Sequence, residues 1–210
     1  EKFKSWVEDT NIFQYLGIHY VDIIYFVTRA IPRRVMAIGQ KNYLISRGID
    51  NYDSMQVVVE WEMPSGALFS SVFMTNWVDP ESSSAMSNQR IKVIGTKGRY
   101  EADQKNRGIC VTSDKEGVEE PNPDFCSMYG SQKGDISYQG YGIDSITEFL
   151  NDVTMIENGQ LKAEDLDCKR PTFKESIVPT VIIEAVNRSI VENGRWINTM
   201  FEDGRFSGYE

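Results

Sequence analysis

His19 is the only histidine in the sequence, with Tyr15 four residues before it and Asp22 three residues after it. On a helix those spacings put all three side chains on one face, where they can touch. An imidazole beside a carboxylate is suited to moving a proton near neutral pH. The same residues also read as a polar seam on a helix surface, or as a core histidine satisfied by its neighbours. One histidine and one carboxylate make a poor metal site, and no serine or cysteine is marked as a nucleophile for His19 to serve. A second motif, Gly140-Tyr141-Gly142 ahead of a helix, is loosely similar to a phosphate-binding turn. Its third glycine would fall at Ser145 and no buried strand precedes it, so a flexible entry to a helix is the plainer reading. Cys110, Cys126 and Cys168 are too widely spaced for a zinc site or a disulfide framework. A reducing, cytoplasmic compartment is the simplest reading of that count and spacing.

The elements that would position these residues follow from periodicity. Ile12, Tyr15, Leu16, His19, Ile23 and Phe26 recur at helical spacing, with Thr10 or Asn11 as N-cap and Pro32 as the stop. From Pro32 to about Ser113 the pattern turns to strands. Met55, Val57, Val59, Trp61 and Met63 alternate with more polar residues, and Pro64-Ser65-Gly66 turns the chain into a strand over Ala67–Trp77. Further strands are predicted over Gln89–Ile94, Arg99–Asp103 and Gly108–Thr112, with a turn at Gly95-Thr96-Lys97-Gly98. Residues 116–142 read as a long loop rich in Gly, Pro, Ser and Asn. Helical period returns at Ile143, with a stripe of Ile146, Phe149, Leu150, Val153 and Ile156, and again over Phe173–Asn193, closed by Gly194. Consecutive hairpins flanked by helices predict an α+β fold: an open, mostly antiparallel β-sheet with helices packed on one face.

Composition narrows the function classes. With 31 acidic and 22 basic side chains the net charge is −9, which argues against a nucleic-acid partner. No stretch approaches the ~20 apolar residues of a membrane span. The 210 residues suit one large domain or two small ones. The strand Ala67–Trp77 carries Phe69, Phe73 and Trp77 on one side and Leu68, Val72 and Met74 on the other. Helices can cover only one of those faces, so the other predicts an interface and a homodimer or tetramer built on the sheet.

Several segments, in order, resemble one oxidoreductase family. They are Gly17-Ile18-His19-Tyr20-Val21-Asp22-Ile23, Ile31-Pro32-Arg33-Arg34-Val35-Met36-Ala37, Pro64-Ser65-Gly66-Ala67, Ile94-Gly95-Thr96-Lys97-Gly98, Phe149-Leu150, and Glu184-Ala185 with Ser189 and Asn193-Gly194. Together they resemble the C-terminal domain of the glucose–fructose oxidoreductase, inositol dehydrogenase and rhizopine-catabolism (Gfo/Idh/MocA) family. The resemblance implies a single C-terminal substrate-binding and oligomerisation domain over residues 1–210, parted from an N-terminal Rossmann domain that carries the glycine fingerprint and a catalytic lysine. It implies NAD or NADP in the full-length protein and a sugar, cyclitol or related polyol as substrate.

The family's active-site histidine falls on His19 and the acidic residue after it on Asp22, the two residues expected to be catalytic. Where the family usually has an aspartate, this sequence has Tyr15. A phenol with a pKa of about 10 cannot lend the imidazole the same negative charge. Tyr15 then lines the substrate pocket, packs as an aromatic, or marks an altered site in a non-catalytic sugar-binding or oligomerisation module. Asn76, Trp77 and Tyr141 fall where the family places substrate-contacting side chains, although Trp77 also reads as core. Gln89 and Arg90 could meet a sugar or carboxylate, or simply be solvated. Because no glycine-rich strand–turn–helix is present to cradle a pyrophosphate, calorimetric titration of this chain alone with NADH is expected to give no micromolar binding.

Overall fold

The computed structural model describes residues 4–80, 88–103, 108–120, 127–130, 136–167 and 169–210. The chain runs α1 Lys4–Glu8, a π-helical turn Phe13–Gly17, α2 Ile18–Thr28, β1 Ile31–Gln40, α3 Tyr43–Ser46, β2 Ser54–Glu62 and β3 Leu68–Asn76. It continues through β4 Arg90–Gly95, β5 Gly98–Asp103, β6 Gly108–Ser113, β7 Gly117–Glu119, β8 Ser127–Gly130, β9 Ile136–Gln139 and α4 Tyr141–Glu157. It ends with a 3₁₀ turn Ala163–Leu166, α5 Ile177–Val191, β10 Ile197–Glu202 and β11 Arg205–Tyr209. Two compact units result, one of Glu1–Pro80 with Leu166–Glu210, the other of Glu81–Asp165.

The first unit is an antiparallel sheet in the order β11-β10-β1-β2-β3. Alternation in β2 sends Met55, Val57, Val59 and Trp61 to one face, where all are fully buried. Trp61 sits opposite Phe69 of β3 and the rings stack at 6.0 Å, while its indole N–H donates to Ser71 Oγ at 2.8 Å. Ile12, Phe13 and Val21 from the segment around α2, and Val178, Ile182, Ala185 and Val186 from α5, close this face into one core. Arg29 takes the left-handed conformation (φ 55°) and ends α2, and its guanidinium pairs with the buried carboxylate of Glu175 just ahead of α5.

Two polar side chains complete what the sheet leaves unpaired. Strand β10 pairs with β1 at Arg34 and Val35. Beyond that point the buried N–H of Ala37 donates instead to Ser189 Oγ of α5 at 2.9 Å, and that hydroxyl donates to Arg195 O at 2.6 Å. Asp53, in the β1–β2 connection, accepts the N–H groups of Asn42 and Tyr43 at 2.7 Å and of Leu44 at 2.8 Å. The Leu44 bond is the main influence holding the Asp53 carboxyl below its ordinary pKa; burial opposes it, and the Tyr43 and Asn42 bonds add to it.

The other face of this sheet carries exposed apolar side chains. A cross-strand row of Met36, Val58 and Val72 lies on it, beside a second row of Ile38, Gln56 and Met74. Val72 is 66% and Met74 80% exposed.

In the second unit β4-β5-β6-β7 form one antiparallel sheet and β8-β9 a hairpin. One face of β4–β5 is polar: Arg90 pairs with Asp103 at 3.2 Å, and Lys92 and Arg99 pair with Glu101 at 2.7 and 3.1 Å. The Lys92 hydrogen bond, against some desolvation and with Arg99 nearby, lowers the Glu101 pKa. The stripe Ile146, Phe149, Leu150 and Val153 of α4 is exposed along its length.

The mostly antiparallel α+β architecture is as expected, with its strands divided among three sheets rather than one. Other details differ from the sequence reading. Pro32 does not stop the helix, which has already ended at Arg29; it is the second residue of β1. The last helix starts at Ile177, because Phe173–Ser176 form a separate turn. The loop predicted over 116–142 contains β7, β8 and β9, while its residues 121–126 and 131–135 lie outside the described residues, as do Cys126 and Cys168. The hairpin β10–β11, turned by Asp203 and Gly204 with positive φ, follows the last helix. Among the described residues no helix is long and apolar enough to cross a membrane.

Two tests follow. Ser189→Ala leaves the buried Ala37 N–H without its acceptor, and denaturant unfolding is expected to show a loss of about 1–3 kcal/mol. A carboxyl whose pKa is lowered by folding stabilises the native state above its unfolded pKa and loses that contribution as pH falls toward the folded value. Wild-type stability should therefore drop as pH falls below about 4, and Asp53→Asn should remove part of that acid dependence in melts run across the range.

Candidate functional site

The segment carrying the three clustered candidates is fixed at its entry. Asn11 Oδ1 accepts the Gln14 N–H at 2.8 Å, capping the turn, and Asn11 Nδ2 donates to Asn187 Oδ1 of α5 at 2.9 Å. The buried Asn51 amide donates to Thr10 O at 2.8 Å and to Val7 O, tying α1 to the same place. The sequence predicts a continuous α-helix here, but residues Phe13–Gly17 form a π-helical turn before α2 begins at Ile18. Such turns insert extra backbone into a helix and are frequent at functional sites. Gly17 has an ordinary helical φ of −61°, so its freedom of conformation is not the reason for glycine. Space is the reason: a Cβ there would meet Phe13 Cδ2 at 2.4 Å. Phe13 is itself fully buried edge-on against Phe73 at 5.6 Å.

With Phe13, Gly17 and Val21 turned to the core, Tyr15, His19 and Asp22 are left on the outside, all three exposed. Tyr15 stacks on Trp77 with ring centroids 5.3 Å apart and planes 23° apart. Trp77 is held by its own N–H, which donates to Asp53 O at 2.9 Å, so the connection organised by Asp53 also sets this ring. Among the described residues the buried indole nitrogen of Trp77 has no hydrogen-bond partner. Asn76, beside it, uses its side chain locally: Oδ1 accepts the Val78 N–H at 2.9 Å and Nδ2 donates to Val78 O.

Arg90 and Tyr141 belong to the second unit. The Arg90 guanidinium is engaged by Asn88 at 3.2 Å as well as by Asp103. Gln89, just ahead of it, is half-buried. Tyr141 is the exposed first residue of α4. The strand before it, β9, is exposed at all four residues, and a single glycine, Gly140, links the two. That is not the buried strand and glycine-rich turn of a dinucleotide cradle, so the described residues do not fit a nicotinamide cofactor here. Among the described residues no group of three or more His, Cys, Asp or Glu side chains converges as a metal site.

Trp6 of α1 joins Tyr15 and Trp77, although no motif or spacing in the sequence relates it to either. Its ring meets Tyr15 edge-on at 5.1 Å and Trp77 at 6.4 Å.

An antiparallel sheet backed by helices carries a histidine and a carboxylate exposed on its first long helix. Residues 2–101 match the family model of the GFO/IDH/MocA C-terminal domain. Solved structures with the same fold include an oxidoreductase from Sinorhizobium meliloti (TM-score 0.62, 17% identity, covering 88% of this chain and 51% of that one). An inositol dehydrogenase homologue from Azotobacter vinelandii, complexed with NADH and myo-inositol, matches at a TM-score of 0.55 and 14% identity, over 89% of this chain and 49% of that one. The transcriptional regulator Gal80p from Kluyveromyces lactis matches at 0.57 and 16%, over 90% and 46%. The chain thus spans about half the length of the solved structures it matches. No curated protein sequence matches it.

Filling the space at Gly17 tests the packing that turns this helix. Gly17→Ala is expected to cost about 1–3 kcal/mol in thermal or denaturant melts, since the buried Phe13 ring has to move.

Proposed function

We propose that this chain is the C-terminal domain of a cytoplasmic NAD(P)-dependent oxidoreductase acting on a sugar, cyclitol or related polyol. One observation carries the reading: His19 and Asp22 stand exposed along α2, within the residues that match the GFO/IDH/MocA C-terminal domain. The redox half of the reaction belongs elsewhere, in a Rossmann domain with its nicotinamide. This chain's share is the proton and the orientation. His19 takes the proton from the substrate hydroxyl as the alcohol becomes a carbonyl. Asp22, three residues on, steadies the imidazole as it gains charge. Tyr15 and Trp77 line the place where the substrate sits, with Asn76 at its edge. Arg90 and Tyr141, on the second unit, stand as separate candidates for the substrate's polar groups.

The open sheet face supports a homodimer or tetramer. The rows Met36–Val58–Val72 and Ile38–Gln56–Met74 include Ile38, Val72 and Met74, each exposed by half or more, and a two-fold pairing of such faces closes on itself. Light scattering should give a dimer or tetramer for the wild type and a smaller species for Val72→Glu. A wild type that is a clean monomer at high micromolar concentration overturns this part.

A second reading is a non-catalytic sugar-binding or oligomerisation module. The observation favouring it is Tyr15, whose ring is engaged with Trp77 where the family usually has an aspartate. Turnover by the full-length protein on a panel of polyols with NAD and NADP decides between the two. His19→Ala should lower kcat/KM by about 10²–10⁴-fold while leaving cofactor affinity unchanged. Wild-type activity in His19→Ala removes the proton-transfer role, and cofactor-independent polyol binding without turnover favours the module.

A further inference from the structure

The aromatic group beside α2 has a shape that limits what it can bind. Trp6 of α1, Tyr15 of the π-helical turn and Trp77 after β3 have centroids 5.1, 5.3 and 6.4 Å apart. Those are contact distances for aromatic pairs, so nothing fits between the rings. That rules out a cage around a cation, which needs the rings parted enough to admit it. What remains is the outside of the group. Trp77 is half-buried and backs Tyr15, while Trp6 and Tyr15 are each 46% exposed and meet at 84°. Two half-open rings at a right angle make a corner with apolar walls.

A ligand for such a corner needs a flat apolar face and a polar rim. Nucleobases have the face, but the net charge of −9 repels a phosphate backbone. An open-chain polyol has no continuous C–H face, because its hydroxyls turn outward all along the chain. A closed six-membered polyol ring has one, with its hydroxyls around the edge. Tyr15 lies four residues before His19 on the same exposed side of the helix, so a ring stacked on Tyr15 would carry its edge hydroxyls toward His19 and Asp22. We propose that Trp6 and Tyr15 form a stacking platform for the C–H face of a closed-ring polyol, a pyranose or cyclitol, and so select ring substrates over open-chain ones. This deepens the polyol reading above and rests on it. Trp6 becomes a specificity-determining residue contributed by α1.

The test uses the full-length protein with three probes: myo-inositol, methyl β-glucopyranoside and the open-chain polyol sorbitol. Affinities come from calorimetry and turnover from cofactor reduction. Trp6→Ala and Tyr15→Ala are each expected to weaken binding of at least one ring probe about tenfold, the loss of one stacking contact, and to leave sorbitol unaffected. Trp6→Phe and Tyr15→Phe keep a ring in place and should retain most of the affinity, which separates stacking from hydrogen bonding and from misfolding. Ring-probe affinities unchanged in both alanine variants overturn the platform. So does a wild type that binds neither ring probe; turnover on sorbitol in that case leaves the dehydrogenase reading standing, and its absence on every polyol overturns both.

Discussion

The burial of Ile12, Phe13 and Val21 decides which way the helix carrying His19 faces. All three are fully buried, and they reach the core from a π-helical turn and the first turn of α2. A helix that commits one side to the core has only its opposite side for chemistry. Here that opposite side holds Tyr15, His19 and Asp22. Phe13 meets Phe73 of β3, whose strand is in turn fixed by its pairing with β2. The alternate residues of β2, from Met55 to Trp61, are the floor on which both helices rest. The direction of the imidazole is thus set by packing on the far side of its own helix.

The ends of that helix are held by polar groups of two kinds. Its entry is tied by neutral amides, Asn11 to Asn187 and Asn51 to the carbonyls of α1 and Thr10. Its exit is tied by charge: Arg29 pairs with Glu175 and lies over the rings of Tyr25 and Phe26 at 5.4 and 5.3 Å. A pair this shielded differs from the ion pairs of β4–β5. Removing one partner of a buried pair strands the other charge away from water, whereas an exposed pair contributes little either way. The link from α2 to the approach of α5 therefore rests on a half-buried pair, in which the carboxylate is the shielded member.

The parts of this architecture legible in the sequence are those where one physical signal dominates. The alternation of β2 reads directly, because burial on one face forces it. So do the turns at Pro64-Ser65-Gly66 and Gly95–Gly98, where local backbone chemistry is decisive. The π-helical turn is silent, since Phe13 and Gly17 have the spacing of an ordinary helix and only the bulk of a buried ring reveals the extra backbone. The hairpin β10–β11 does carry a signal, Asp203-Gly204 between two runs of alternating residues, the pattern of a tight two-residue connection. In the candidate site, His19 and Asp22 are legible as a pair along one helix. Trp6 is not, because its contact with Tyr15 and Trp77 joins three elements that sequence spacing does not relate.

The open face of the first sheet is unusual in its sulfur. Met36, Met74 and Met200 all belong to its strands, beside the aliphatic Ile38, Val58 and Val72 and the polar Gln56. Thioethers suit a face that must fit a changing neighbour, because they are flexible and polarizable. They are also open to peroxide. Conversion to the sulfoxide places a polar, chiral oxygen where an apolar group stood and weakens surfaces of this kind. Met74, at 80% exposed, meets an oxidant first. The character of this face therefore depends on the redox state of its surroundings.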